Sequence, residues 1–214
     1  AWCHPAPQSL FYDVTLSSAS DHIWNQVSRK LPLDQPYVLL PATGKVGSYK
    51  NPDLVAKALL HPSLTGLQLL LTGLSAQSHA DALLDHWPAL HGRILAAGFS
   101  DVELSLVYQR AQAVIVPSRV EGFGLPVLEA LSSGARVLVA DSRGLREAGG
   151  IACPRVNPEH PADLVSWLRL FLDPISLHYF APHLERRRMQ RLSGINPDLL
   201  GLALAAMARQ TWTS

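Results

Sequence analysis

From Tyr37 onward the chain alternates short aliphatic runs with amphipathic stretches long enough to be helices, and this alternation limits the fold more than any other feature. Strand candidates fall at 37–41, 67–71, 93–97, 113–116, 136–140 and, shorter, 150–153. Continuous apolar runs of this kind suit strands buried on both faces, the situation in a parallel sheet with helices packed against each side. The stretches between them carry helix start signals. Asn51-Pro52 opens one, Ser100-Asp101-Val102-Glu103 reads as a capping box, and Pro126 fits the first helical position of a third, which Gly134 ends. The expectation is an α/β fold, a doubly wound parallel sheet with terminal helices.

Residues 1–36 are punctuated by Pro5, Pro7, Pro32 and Pro36, with room for one short helix at 20–30, and read as a lead-in or interdomain linker. The α/β domain then occupies 37–173. Asp173-Pro174 breaks the pattern, and 174–214 reads as C-terminal helices, basic over 185–191 and apolar over 199–207.

The 214 residues allow one large domain or a domain and a half; 48% are hydrophobic and 16% charged, enough for a sizeable core. A formal charge of +1 gives no global field to attract nucleic acid or an anionic membrane, so any anion site must be local. Cys3 and Cys153 follow no metal-ligand spacing, which favours free thiols and a reducing, cytoplasmic compartment. His79, His86 and His91 form no metal-ligand pair, so no metal is expected. The apolar run 202–208 is too short to span a bilayer, no signal peptide opens the chain, and the first residue is not Met. Arg186, Arg187 and Arg188 read as a solvated helix face, with contact to anionic lipid as the alternative.

In an open α/β sheet, ligands bind beyond the carboxyl ends of the strands. The loop after the fourth strand runs Pro117-Ser118-Arg119-Val120-Glu121-Gly122-Phe123-Gly124-Leu125-Pro126-Val127-Leu128-Glu129. Its glycines allow close backbone approach, and the following helix start favours a phosphate. Glu129 falls about one turn into that helix, and its side chain leans back toward the loop. Carboxylates repel phosphate, so Glu121 and Glu129 need hydroxyl partners. A phosphate-binding helix end flanked by two acceptors suits a sugar nucleotide.

The loop after the first strand, Thr43-Gly44-Lys45-Val46-Gly47-Ser48-Tyr49-Lys50-Asn51, places two lysines where they could flank a diphosphate. Competing glycine motifs fail. Gly44-Lys45 is followed by Val46 and has Leu39 where a P-loop needs its first glycine, and Gly122-Phe123-Gly124 has Val127 at the third glycine position of a dinucleotide fingerprint.

The segment Glu-Gly-Phe-Gly-Leu-Pro-Val-Leu-Glu-Ala-Leu, with Glu121 and Glu129 at its E-x7-E positions, resembles the signature of family 4 retaining glycosyltransferases. The resemblance extends upstream through Gly98-Phe99-Ser100 and Ala113-Val114-Ile115-Val116-Pro117-Ser118, and downstream through Gly134-Ala135-Arg136 to Asn157-Pro158-Glu159. It implies the Rossmann-like C-terminal half of a GT-B enzyme of carbohydrate biosynthesis, which transfers a hexose from a nucleotide-sugar with retention. By resemblance Glu121 contacts the donor sugar, Glu129 binds ribose hydroxyls, and backbone groups of Gly122, Phe123, Gly124, Leu125, Pro126 and Val127 hold the diphosphate. Gly44, Lys45 and Lys50 line the leaving group. Lys45 stands where the family usually has Arg, keeping the charge and losing the bidentate fork. Phe99 is a candidate base neighbour, and the segment from Asp141 to Glu147 helps to shape the pocket.

The same resemblance implies that the acceptor is bound by a separate N-terminal GT-B domain or chain, that no cofactor or obligatory metal is needed, and that this chain alone performs little transfer. Other readings are a non-catalytic nucleotide-sugar-binding module or remnant, or another GT-B enzyme such as an epimerase or glucan synthase.

Overall fold

The computed structural model describes residues 18–31 and 35–194, with side chains from Asp21 onward. The expected apolar segment at 199–207 and the first part of the lead-in lie outside the described residues. Helix α1 (Ser18–Lys30) leads into strand β1 (Tyr37–Leu40). There follow α2 (Pro52–Leu59), β2 (Gln68–Leu71), α3 (Ala76–His86), β3 (Ile94–Ala96), α4 (Asp101–Arg110), β4 (Ala113–Val116), α5 (Leu125–Ser132), β5 (Val137–Ala140), α6 (Arg143–Gly149), β6 (Arg155–Val156), α7 (Pro161–Leu172) and α8 (Pro174–Ser193).

All six strands pair in parallel in the order β3-β2-β1-β4-β5-β6. Every residue of β1, β2, β4 and β5 is buried, which is why these strands read as unbroken apolar runs. Strand residues alternate between two cores. Val38, Leu40, Leu69, Leu71, Ala113 and Ile115 face α2, α3 and α7, while Tyr37, Leu39, Leu70, Val114 and Val116 face α1, α4, α5 and α6. The sheet is therefore doubly wound, as expected.

The chain starts at β1, runs outward through β2 and β3, and returns to β4 on the other side of β1. At this reversal the connections leaving β1 and β4 diverge to opposite faces and open a crevice beyond the strand ends. The two loops singled out by sequence are the two that flank it.

Two local signals appear as read. Ser100 Oγ accepts from Glu103 N at 3.4 Å, and Ser100 N donates to Glu103 Oε2 at 2.8 Å, completing the capping box of α4. Gly134 follows α5 with a φ of +81°.

The last strand departs from the reading. It lies at Arg155–Val156 rather than at 150–153. The apolar stretch is consumed by the end of α6: Gly150, at φ +54°, donates to Arg146 O at 3.0 Å, and Ala152 N donates to Gly149 O at 3.0 Å. Only after Pro154 can the backbone run beside β5, where Val139 pairs with Arg155.

Asp173-Pro174 ends α7 and also starts α8, with Asp173 Oδ2 accepting from Ser176 N at 3.0 Å. Arg188 does not lie on a solvated face. Its side chain is 12% exposed, pairs with Glu185, and donates to Leu131 O at 2.9 Å, in the last turn of α5. Arg191 donates to Ala148 O at 3.0 Å and Glu147 O at 2.7 Å, near the end of α6. Cations at the carbonyl ends of two helices complement their dipoles and pin α8 to the sheet domain. Arg186 and Arg187 are exposed, as expected.

Candidate functional site

The loop after β1 folds back on itself. Ser48 N donates to Lys45 O and Asn51 N to Ser48 O, each at 3.0 Å, giving two successive turns. A Cβ on Gly44 would sit 2.7 Å from both Lys50 Cβ and Ser48 Oγ, so only glycine lets the Lys50 stem cross this point without displacement. Lys45 is exposed at the rim. Lys50 is drawn inward: its Nζ lies 2.9 Å from Glu121 Oε2, with the side chains only 22% and 15% exposed. The structure thus brings together residues 71 apart in sequence.

The loop after β4 ends at Gly124, whose φ of 64° and ψ of 37° begin α5 in the left-handed region. A Cβ there would lie 2.5 Å from Ala148 Cβ. Gly144, near the start of α6, packs so closely on the loop that a Cβ would collide with the Glu121 carbonyl oxygen. Two glycines therefore let α6 support the Glu121–Gly124 segment from beneath.

The available backbone donors are narrower than the sequence suggested. Pro126 has no N–H, and Val127 N already donates to Gly124 O at 2.9 Å. The amides of Gly122, Phe123, Gly124 and Leu125 have no protein acceptor among the described residues. Three buried hydroxyl oxygens at this end of the sheet, Thr43 Oγ1, Ser48 Oγ and Ser142 Oγ, also lack a partner among the described residues. A cation and free amides on one rim are donors suited to an oxyanion.

Glu129 has a different environment. Tyr108 Oη donates to its Oε2 at 3.0 Å. Burial raises the Glu129 carboxyl to about 7; the phenol hydrogen bond opposes this, and the charge of Asp101 adds to it. Phe99 lies just before α4, packed against the second core, with Lys30 Nζ 5.7 Å from its ring centroid.

Three further residues tie the site together, and sequence reading gave them no site role. Asn51 is 1% exposed and left-handed at φ 56°; its Nδ2 donates to Pro117 O at 3.3 Å and Pro158 O at 2.8 Å. The position after Lys50 and before Pro52 tolerates few side chains at positive φ, and asparagine is one of them. Arg119 N donates to Tyr49 O at 2.8 Å, and its guanidinium pairs with Glu159 at 2.7 Å. The loops after β1, β4 and β6 are thereby fastened to one another. Tyr108, the third, joins α4 to α5 through Glu129.

The fold and the site together define an open parallel α/β domain with two loops flanking its topological switch point. Residues 25–165 match the family of glycosyl transferases group 1, and the chain belongs to that family. It is 33% identical over 154 residues to a D-inositol 3-phosphate glycosyltransferase of Geodermatophilus obscurus, covering 68% of this chain and 32% of that protein. A lipopolysaccharide core biosynthesis mannosyltransferase of Rhizobium leguminosarum bv. viciae is 30% identical over 119 residues, covering 51% of this chain and 33% of the relative.

Among solved structures, sucrose-phosphate synthase from Thermosynechococcus elongatus superposes with a TM-score of 0.66 at 25% identity, over 96% of this chain and 50% of that one. Anabaena HepE, solved in complex with UDP and glucose, gives a TM-score of 0.69 at 16% identity, over 95% of this chain and 55% of that one. The chain thus spans about a third of the length of these curated relatives and about half of these solved chains.

Proposed function

We propose that this chain is the donor-binding half of a retaining glycosyltransferase that transfers a hexose from a nucleoside diphosphate sugar. The observation carrying this reading is the Lys50–Glu121 pair beside the unpaired amides of Gly122 to Leu125. In the reading, the donor diphosphate takes Lys50 from Glu121. The amides bind its oxygens, and Lys45 approaches from the rim. Glu121, released from its partner, accepts hydroxyls of the sugar, and Glu129 accepts those of the ribose.

Lys50 and the α5 start stabilise negative charge as it develops on the departing diphosphate, the electrostatic contribution a preorganised site makes. Within this reading no metal or cofactor is assigned; among the described residues no group of His, Cys, Asp and Glu is clustered to hold one. The chain acts where nucleotide sugars are available, in the cytoplasm; no helix among the described residues is long and apolar enough to cross a membrane.

The acceptor is held by a second GT-B half, supplied by another segment or another polypeptide. Tyr49, Leu74, Val120 and Phe123 are large exposed apolar side chains in the loops after β1, β2 and β4, the face that such a half would cover. Transfer by this chain alone is then slight.

Calorimetric titration with UDP-, GDP- and ADP-hexoses tests the reading. One of them binds the wild type, and Lys50→Ala and Glu129→Ala each weaken it about tenfold or more. Binding that neither substitution weakens refutes the assignment.

A further inference from the structure

Tyr108 is completely buried on α4. A phenol in a core needs a hydrogen-bond partner. The other buried tyrosine among the described residues, Tyr37, uses a main-chain carbonyl, donating to Val107 O at 2.7 Å. Tyr108 instead donates at 3.0 Å to a titratable side chain on the neighbouring helix, Glu129 Oε2, from 21 residues away. The second oxygen, Oε1, has no protein donor among the described residues. The carboxylate is therefore held by one oxygen and presents the other.

We propose that Tyr108 is a positioning residue of the donor site, holding the Glu129 carboxylate by Oε2 so that Oε1 is a fixed acceptor for a ribose hydroxyl. This rests on the donor-site reading above. An unrestrained glutamate has three rotatable side-chain torsions and must lose that freedom on binding; a restrained one has already lost it. The phenol has a second effect. The groups acting on the Glu129 carboxyl are Tyr108 and Asp101, both from α4: the charge of Asp101 favours the neutral acid, as burial does, and the Tyr108 hydrogen bond favours the carboxylate. Removing the phenol hydroxyl leaves Glu129 looser and more often protonated at neutral pH.

The test uses the full chain as wild type, Tyr108→Phe and Glu129→Gln. Each is titrated calorimetrically with UDP, GDP and ADP and with their 2′,3′-dideoxy counterparts between about pH 6 and 8.5. In parallel, carbon NMR follows the Glu129 carboxyl in the ligand-free protein. The wild type prefers the ribonucleotide by about tenfold or more. Tyr108→Phe reduces that preference about fivefold near pH 7, leaves the dideoxy affinity unchanged, and recovers part of the loss near pH 8.5, while the Glu129 midpoint moves upward.

A variant that weakens both ligands equally, or a Glu129 midpoint unmoved by Tyr108→Phe, makes Tyr108 a packing residue and overturns the proposal. Glu129→Gln retaining the full ribose preference overturns it as well. If no nucleotide binds the wild type while the midpoint still responds to Tyr108, the donor-site reading has failed and the ribose role falls with it. Tyr108→Phe conserves the buried ring, and Glu129→Gln keeps an acceptor for the phenol, so loss of fold in one leaves the other to decide.

Discussion

Glu121 and Glu129 stand at the two ends of one loop-and-helix segment, and the fold gives them opposite surroundings. Glu121 is paired with an ammonium group at 2.9 Å, in a loop fastened to its neighbours. Glu129 is buried against a phenol at 3.0 Å, with another acid acting on it, and its carboxyl is raised to about 7. Two identical side chains in one motif are thus set for different tasks by environment alone. The Glu121 carboxylate is engaged through Oε2 by a cation, whereas the Glu129 carboxylate is engaged through Oε2 by a phenol.

The largest expected difference between them is in stability against pH. Burial pushes the folded Glu129 carboxyl up to about 7, above the ordinary value of 4.5. Below the unfolded value the group is protonated in both states, and its favourable contribution is complete. As pH rises toward 7 the unfolded chain loses this proton while the native state keeps it, so stability falls, by up to about 3 kcal/mol. Glu129→Gln removes the penalty. Denaturant unfolding is expected to show the variant matching wild type near pH 4 and exceeding it by about 2 kcal/mol or more near pH 8; equal stability at both pH values breaks the comparison.

Lys50→Ala acts next, through binding. It removes the cation that the diphosphate is proposed to recruit, and nucleoside diphosphate affinity is expected to fall by about 2 kcal/mol, roughly thirtyfold. Calorimetry at two salt concentrations checks this, since the wild-type affinity should weaken with salt more than that of the variant.

Glu121→Gln should destabilise where Glu129→Gln stabilises, by about 1 kcal/mol, because a mostly buried ammonium group loses its counter-charge. Thermal unfolding near pH 8 reads the two variants side by side, and a shift of the same sign in both contradicts the contrast drawn here.

The smallest effect belongs to the rim. The Arg119–Glu159 pair is 38% and 59% exposed, so Arg119→Lys is expected to change stability by less than about 0.5 kcal/mol. A larger loss in chemical denaturation would mean that the fastening of the loops depends on the guanidinium rather than on the Arg119 amide and Asn51.

What the sequence made legible is what local chemistry determines. Ala113–Val116 is a strand with the expected bounds because a fully buried parallel strand has no polar position to blur them. The α4 capping box is visible because its partners are three residues apart. The strand order that puts the switch point between β1 and β4 came from the structure, but the two loops flanking it are those the sequence marked by their lysines, glycines and glutamates. Strand β6 was displaced because an apolar stretch at a helix end resembles a short strand until the turns at Gly150 and Ala152 are known.

The contacts that hold the site in shape and pin α8 to the domain were not legible, and the reason is distance along the chain. Tyr108 meets Glu129 across 21 residues, Arg188 meets Leu131 across 57, and Asn51 joins carbonyls 66 and 107 residues away. No spacing rule reaches so far. Tyr108 in particular sits in a helix whose pattern explains an aromatic residue by core packing alone; only the structure shows where its hydroxyl goes.

The central claim is that the two glutamates divide one donor between them, Glu121 serving the sugar and Glu129 the nucleoside. The direct measurement is the calorimetric affinity of a nucleoside diphosphate and of its hexose conjugate for wild type, Glu121→Gln and Glu129→Gln. The account predicts that Glu129→Gln weakens both ligands by a similar factor, about tenfold, while Glu121→Gln weakens the conjugate and spares or tightens the bare diphosphate. Equal weakening of both ligands by both variants, or no effect of either, would contradict it.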